Sequence, residues 1–429
     1  MTEGEERAAK ATTAATAGGP DGTFLLQLVV VALATTAVNA IRPMVTYRAL
    51  GLGAGPFEVG LVAAVFSVAP ALLAVAVGRA IDRIGEVWFI RSALVSMTLG
   101  AALAVIVDSL WLLALSQTLT GLGHVTNLIA GQALVANRGG RSRRDHRYGY
   151  YSTMGSLGHL LGPLIGTTLV TRFALGPEPG AIAAANPQAP AFIAAGTLTL
   201  IAFGLAWFLP WLRPAHGAEA AEEERPGILT SAARVMRRPG MPFAMLVSMI
   251  VVSSVDLLIA YLPLYGEVRG ISVSAIGVLL AIRAGASMLC RIFMGVLIDR
   301  LGRNKLLAIS MSGAALGLAL LPFVEDTVVL GALMVLIGLG LGIGQPMTMA
   351  WIANRSPRAE RGTALGVRLT GNRTALIVVP ILAGAVAGVT GVSLVFWLVA
   401  VLLFGGAIIG YRAPLDTEPP PRRADAGAA

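Results

Sequence analysis

The chain has 429 residues, 56% of them hydrophobic and only 13% charged, with a mean hydropathy of +0.77. Soluble domains carry roughly 25% charge, so this composition excludes a soluble globular protein and points to one dissolved in lipid. The single cysteine, Cys290, excludes an internal disulfide framework and a cysteine-rich metal site. HExxH, P-loop and GxSxG patterns are absent from the sequence, so hydrolase chemistry has no local support.

Residues 1–22 are polar and Ala/Thr-rich, the composition of a disordered segment. The first apolar run begins near Phe24 and continues for about 25 residues, too long for the apolar region of a cleaved signal peptide, and reads as a retained helix. A helix of about 20 apolar residues crosses the hydrocarbon core. By that measure the runs predict twelve spans: 24–49, 57–79, 87–107, 110–136, 148–171, 191–212, 241–265, 272–296, 304–323, 328–353, 360–388 and 391–412. The stretch EPGAIAAANPQAP (178–190) reads as a loop. Residues 213–240 form the only long polar linker inside the chain and divide the spans six and six. The predicted fold class is an all-α membrane protein, with one bundle over 23–212, a second over 241–412, and a polar, disordered tail over 413–429. The 51 glycines suit helices that pack closely through small side chains.

Arginines set the orientation. NRGGRSRRDHR (137–147), RVMRR (234–238), DRLGRNK (299–305) and NRSPRAER (354–361) all flank one set of alternating loops, against Arg48, Arg172 and Arg269 on the other. The positive-inside rule predicts that the first set and both termini are cytoplasmic. The net charge of +9 is explained by this topology and needs no nucleic-acid partner. Arginine supplies nearly all of the basic residues, which fits a bacterial source and hence the bacterial cytoplasmic (inner) membrane.

The halves repeat each other. VGLVAAVFSVAPALLAVAVGRAIDRIG (59–85) aligns with IGVLLAIRAGASMLCRIFMGVLIDRLG (276–302) at an offset of 217, which also pairs GLG (121–123) with GLG (338–340) and ANR (136–138) with ANR (353–355). A shorter following loop resets the register to 213, pairing Gly149 with Gly362 and Gly158 with Gly371. A duplicated six-helix unit predicts two bundles about a pseudo-twofold axis, with a substrate site between them near the midplane.

GRAIDRIG (78–85) and GVLIDRLGRNK (295–305), each joining the second and third helices of its half, resemble the loop signature of the major facilitator superfamily. With the spans and the repeat, the likeness covers nearly the whole chain. It implies secondary transport by alternating access. It also implies that the signature residues hold neighbouring helices together on the cytoplasmic side when the transporter faces outward. Here these are Gly78, Asp82 and Arg83, and Gly295, Asp299, Arg300 and Arg303. The first copy departs from the pattern, with Glu86 after Gly85 where a basic residue is usual. GHLLGPLIG (158–166) in helix five resembles the GxxxGPxxG element of exporters and drug–proton antiporters, through Gly158, Gly162, Pro163 and Gly166. Many of those antiporters carry an arginine in helix four where this chain has Gln117, with Met334 as the repeat partner. Proton coupling is therefore implied by the family likeness alone.

Polar groups inside the spans mark the candidate site, since an arginine at a helix centre costs about 2.5–3.5 kcal/mol. Arg42, Arg283, Arg368 and Arg373 lie well inside their spans, and Asp256 is the one acid deep in a span; Glu58, at the outer edge of helix two, is placed to reach Arg42. Arg291 lies nearer a helix end, able to snorkel, and reads as structural. Thr35, Asn39, Arg42 and Thr46 form a stripe at helical spacing, as do Gln117, Thr120, His124 and Asn127. Asp256 occupies the repeat position of Asn39. Arg368 and Arg373 are about 140° apart around their helix, so Arg368 with Asn372 makes the better common face, and Arg373, like His159, is left open between structure and function. The predicted substrate-binding set is Asn39, Arg42, His124, Asn127, Asp256, Arg283, Arg368 and Asn372, with Asp256 the proton-titrating group. Surplus positive charge in a wet cavity favours an organic anion bound by bidentate hydrogen bonds.

The expected function is proton-coupled efflux of a small amphiphilic or anionic organic compound by a monomer surrounded by lipid, with no cofactor and no metal. Proton-coupled uptake of an organic anion is the alternative within the class. A non-transporting membrane receptor or enzyme is the alternative outside it.

Overall fold

The computed structural model describes residues 22–138, 144–174, 180–210, 233–238, 240–355 and 361–412. The expected disorder of the N-terminal segment and the tail, most of the linker, and parts of the arginine-rich loops at 137–147 and 354–361 lie outside the described residues.

Twelve helices of 18 residues or more occur among the described residues: α1 (Gly22–Gly51), α2 (Pro56–Ile84), α3 (Glu86–Ile106), α4 (Leu110–Arg138), α5 (Arg144–Phe173), α6 (Ala189–Ala206), α7 (Met241–Arg269), α8 (Val273–Ile292), α9 (Arg303–Leu320), α10 (Thr327–Arg355), α11 (Arg361–Thr390) and α12 (Ser393–Arg412). Ten are long and apolar enough to cross a membrane. The other two, α4 and α5, have the length, 29 and 30 residues, but carry many polar residues along it. No strand occurs among the described residues. Large apolar side chains such as Leu72, Ile106, Trp111, Val389 and Val401 are exposed on the outside, a surface that only lipid satisfies.

Three expectations need correction. The sixth helix ends at Ala206 rather than 212, because Pro210 disfavours helical backbone at the residue before it. The loop 178–190 contains a helical turn, Ala181–Ala185, followed by Asn186, whose amide donates to the carbonyls of Ala104 and Val105 at 3.0 and 2.9 Å. The eighth span is not continuous. It breaks at Phe293, and a short helix, Met294–Leu301, follows.

The duplication is visible atom by atom. Gly121 lies against the Phe66 carbonyl, and Gly338, 217 residues on, lies against the carbonyl of Arg283, the repeat partner of Phe66. Gly123 packs on Ala93 and Met97, and Gly340 packs on their equivalents Ser310 and Ala314. Both signature loops close on a glycine with positive φ, Gly85 (104°) and Gly302 (75°), a conformation that suits a residue lacking Cβ. Each donates its N–H to the carbonyl four residues back at 2.8 Å. In each half the first helix packs on the fifth and sixth, and the third on the fourth and sixth.

The two bundles meet through α2 with α11, α5 with α8, and α1 with α7. The close approaches lie mostly toward the face opposite the termini. Gly60 of α2 abuts the Pro380 carbonyl of α11, and Gly384 lies against Pro56 and Phe57. Tyr261, fully buried, has its hydroxyl 3.3 Å from the Pro56 carbonyl and 3.1 Å from the Pro380 carbonyl. Gly277 of α8 meets Thr167 of α5. Toward the terminal face, a Cβ added at Gly78, Gly295 or Gly366 would meet nothing within 4 Å.

Candidate functional site

Where α1 crosses α7, Arg42 and Asp256 form an ion pair, Nη2 to Oδ1, that joins one bundle to the other. Their side chains are 15% and 7% exposed. One turn farther on, Thr46 donates to the Ala260 carbonyl at 3.0 Å. Glu58 is not the partner of Arg42. Its carboxylate accepts the Gly55 N–H at 2.9 Å and caps the start of α2. The repeat relates Arg42 to Ile259 and Asp256 to Asn39. Duplication has therefore left one charged crossing, whose symmetry-related counterpart is neutral.

The Arg42 guanidinium lies 5.0 Å from the centroid of the Phe66 ring, and the same ring meets His124 at 5.9 Å. Beside Arg42 is a cavity of about 20 Å³ lined by Thr46, Phe66, Gln117, Ile259 and Ala260, among others, room for about one water. Gln117, where the antiporter arginine would stand, is buried with its Nε2 unpartnered.

The rest of the predicted site divides. Asn39 donates to the Thr35 carbonyl at 2.8 Å within its own helix, and its Cβ lies in the groove at Gly162 of α5. The GxxxGPxxG element thus seats α1: Gly158 faces Thr35 and Thr36, and Gly166 faces Ala40. Asn127 is buried on α4. Asn372 accepts the Ser248 hydroxyl at 3.0 Å, joining α11 to α7, and Arg368 donates to the Gln345 side chain of α10. The face expected to combine Arg368 and Asn372 is therefore engaged within the second bundle.

Arg373 is 8% exposed and has no hydrogen-bond or ion-pair partner among the described residues. It lies within the electrostatic reach of both Asp256 and Arg42, and His124 lies within reach of Arg42 and Arg373. Arg283 is 4% exposed with its Nε sealed and unpartnered, and it acts electrostatically on His159, which is itself exposed on α5. Arg291 donates to the Gly342 carbonyl at 2.9 Å and to Ser156 of the other bundle at 3.3 Å. It is a further tie across the interface. Asp299, Arg300 and Arg303 are exposed on the terminal face. The side chain of Asp82 lies outside the described residues.

Sequence reasoning missed Tyr261, Ser156 and Gln345 as partners. Tyr261 and Ser156 act between helices far apart in the chain, and Gln345 reaches Arg368 from the preceding helix.

The Major Facilitator Superfamily model matches residues 27–289 and 269–429. The tetracycline resistance protein, class E, of Escherichia coli is 24% identical over 365 residues, covering 80% of this chain and 83% of its own. The multidrug resistance protein MdtG of Proteus mirabilis is 33% identical over 154 residues, covering 35% of this chain and 38% of its own. The crystal structure of a point mutant of the nucleoside transporter NupG superposes with a TM-score of 0.74 at 14% identity, covering 91% of this chain and 99% of that one.

Proposed function

Because the chain belongs to the Major Facilitator Superfamily, it is a multi-pass membrane transporter rather than an enzyme, and we propose that it is a proton-coupled exporter of a small amphiphilic organic anion. We place it in the bacterial cytoplasmic membrane with both termini in the cytoplasm. The observation that carries this reading is the Arg42–Asp256 pair between the bundles, set among further buried guanidinium groups. One carboxylate cannot neutralise Arg42, Arg283 and Arg373 together. An amphiphilic anion supplies the missing charge and suits the apolar walls.

The bundles approach each other opposite the termini, so on this orientation the molecule faces the cytoplasm. Alternating access requires that closure to open and the signature loops to engage in its place. Proton uptake by Asp256 removes the Coulombic part of its tie to Arg42 and frees the bundles to rock. Export rather than uptake is favoured by the GxxxGPxxG element and by relatives named for drug resistance.

Everted membrane vesicles with an acidic lumen and 1-naphthalenesulfonate, an anion at all working pH values, test the reading. Accumulation that a protonophore abolishes is expected. Accumulation only in right-side-out vesicles would make the protein an importer. Transport of 1-naphthylmethylammonium in place of the sulfonate would overturn the anionic substrate class.

A further inference from the structure

Resting on the reading of an anion carrier, we infer that Arg373 anchors the anionic head of the cargo, a carboxylate or sulfonate. An inventory of the deeply placed arginines leaves two, Arg283 and Arg373, without a hydrogen-bond or ion-pair partner among the described residues. Arg48 donates to the carbonyls of Val107 and Ala185, and Arg91 to those of Ala206 and Trp207. Arg291 has Gly342 and Ser156, Arg368 has Gln345, and Arg42 has Asp256. Arg373, more than nine-tenths buried, has no such partner among the described residues.

Its nitrogens also differ from those of its neighbours in access. The Nε atoms of Arg283 and Arg368 are sealed from solvent and unpartnered, whereas no nitrogen of Arg373 is sealed in that way. Its donors therefore keep access to solvent. A guanidinium offers five N–H donors and no acceptor, and burying it without an acceptor is costly. An incoming anion is the group that satisfies it, by the paired hydrogen bonds that arginine makes with carboxylates and sulfonates.

Position sharpens the assignment. Arg373 and Arg42 act on each other electrostatically, and Asp256 acts on Arg373 without pairing with it. An anion seated between the two arginines would be held by both bundles at once, which is how a cargo can bias their relative motion. The repeat partner of Arg373 in α5 is Leu160, so the first bundle has no equivalent anchor.

Binding of 1-naphthalenesulfonate and of its cationic counterpart 1-naphthylmethylammonium to the full-length protein in nanodiscs provides the test. The sulfonate should bind the wild type in preference to the ammonium. Arg373→Gln should weaken sulfonate binding at least tenfold and erase that charge preference, which a merely structural loss would not do. Arg373→Lys, which keeps the charge but loses the planar fork, should weaken binding at least threefold; it carries the test should Arg373→Gln fail to fold. Sulfonate affinity within twofold of wild type in the folded Arg373 variants would overturn the inference and leave the anion-carrier reading standing. Preference of the wild type for the ammonium, or failure to bind the sulfonate, would overturn both.

Discussion

The pairs α1–α5 and α7–α11 are equivalent in the duplicated architecture, yet they are built differently. In the first, a Cβ added at Gly158, Gly162 or Gly166 would lie 2.5–2.6 Å from Thr35, Asn39 or Ala40. In the second, the same register holds Gly371, Ala375 and Val379, and a Cβ at Gly371 would meet only the Met249 thioether, at 3.4 Å for Sδ. Where α5 has His159 and Leu160, α11 has Asn372 and Arg373. After duplication, one copy of the contact holds a helix and the other holds charge. Rigid support for the stripe that carries Arg42 comes from the first bundle, and Arg373, without a partner among the described residues, comes from the second.

Substitutions at equivalent positions probe this difference, beginning with the most severe. Gly162→Val forces a branched side chain into the backbone of α1 and should abolish recovery of folded protein from membranes. Gly158→Ala should lower stability by about 1–3 kcal/mol through overpacking. Gly371→Ala, at the equivalent position, should be neutral or stabilising by about 0.4–1 kcal/mol, since alanine restricts the unfolded chain and fits here. Thermal unfolding in detergent measures both, and equal losses at 158 and 371 would erase the distinction.

Contacts between the bundles should behave differently from contacts within one. Gly60→Ala places a methyl group against the Pro380 carbonyl, so it should leave each bundle folded while opening the closure opposite the termini. Pulsed EPR between spin labels at Asp108→Cys and Ser272→Cys, in a Cys290→Ser background, should show a new, longer distance. Tyr261→Phe removes the hydroxyl that reaches Pro56 and Pro380. It should weaken the same closure by about 0.5–1.5 kcal/mol, a smaller shift in the same labels with little change in unfolding temperature.

Most of the spans and the repeat were legible in the sequence because hydrophobic length and a constant offset are properties along one dimension. The offset of 217 even located Gly121 and Gly338 in equivalent contacts. The arginine partners were not legible. Glu58 looked placed to reach Arg42, but Asp256, 214 residues away, is its partner, because docking of the bundles decides the match. Angular position on α11 grouped Arg368 with Asn372 but could not say which neighbours each would face. Gln345 of α10 and Ser248 of α7 engage these two and leave Arg373 without a partner among the described residues. The break at Phe293 had no counterpart in α2 and no proline to announce it.

The proposed link between proton movement and the docking of the two bundles runs through Asp256, and the variant Asp256→Asn tests it most directly. In proteoliposomes holding the purified protein, the variant should still exchange 1-naphthalenesulfonate across the membrane, which shows it folded and able to alternate. It should no longer accumulate the sulfonate against its gradient when a pH difference is imposed. Uphill accumulation by Asp256→Asn at the wild-type rate would contradict the account.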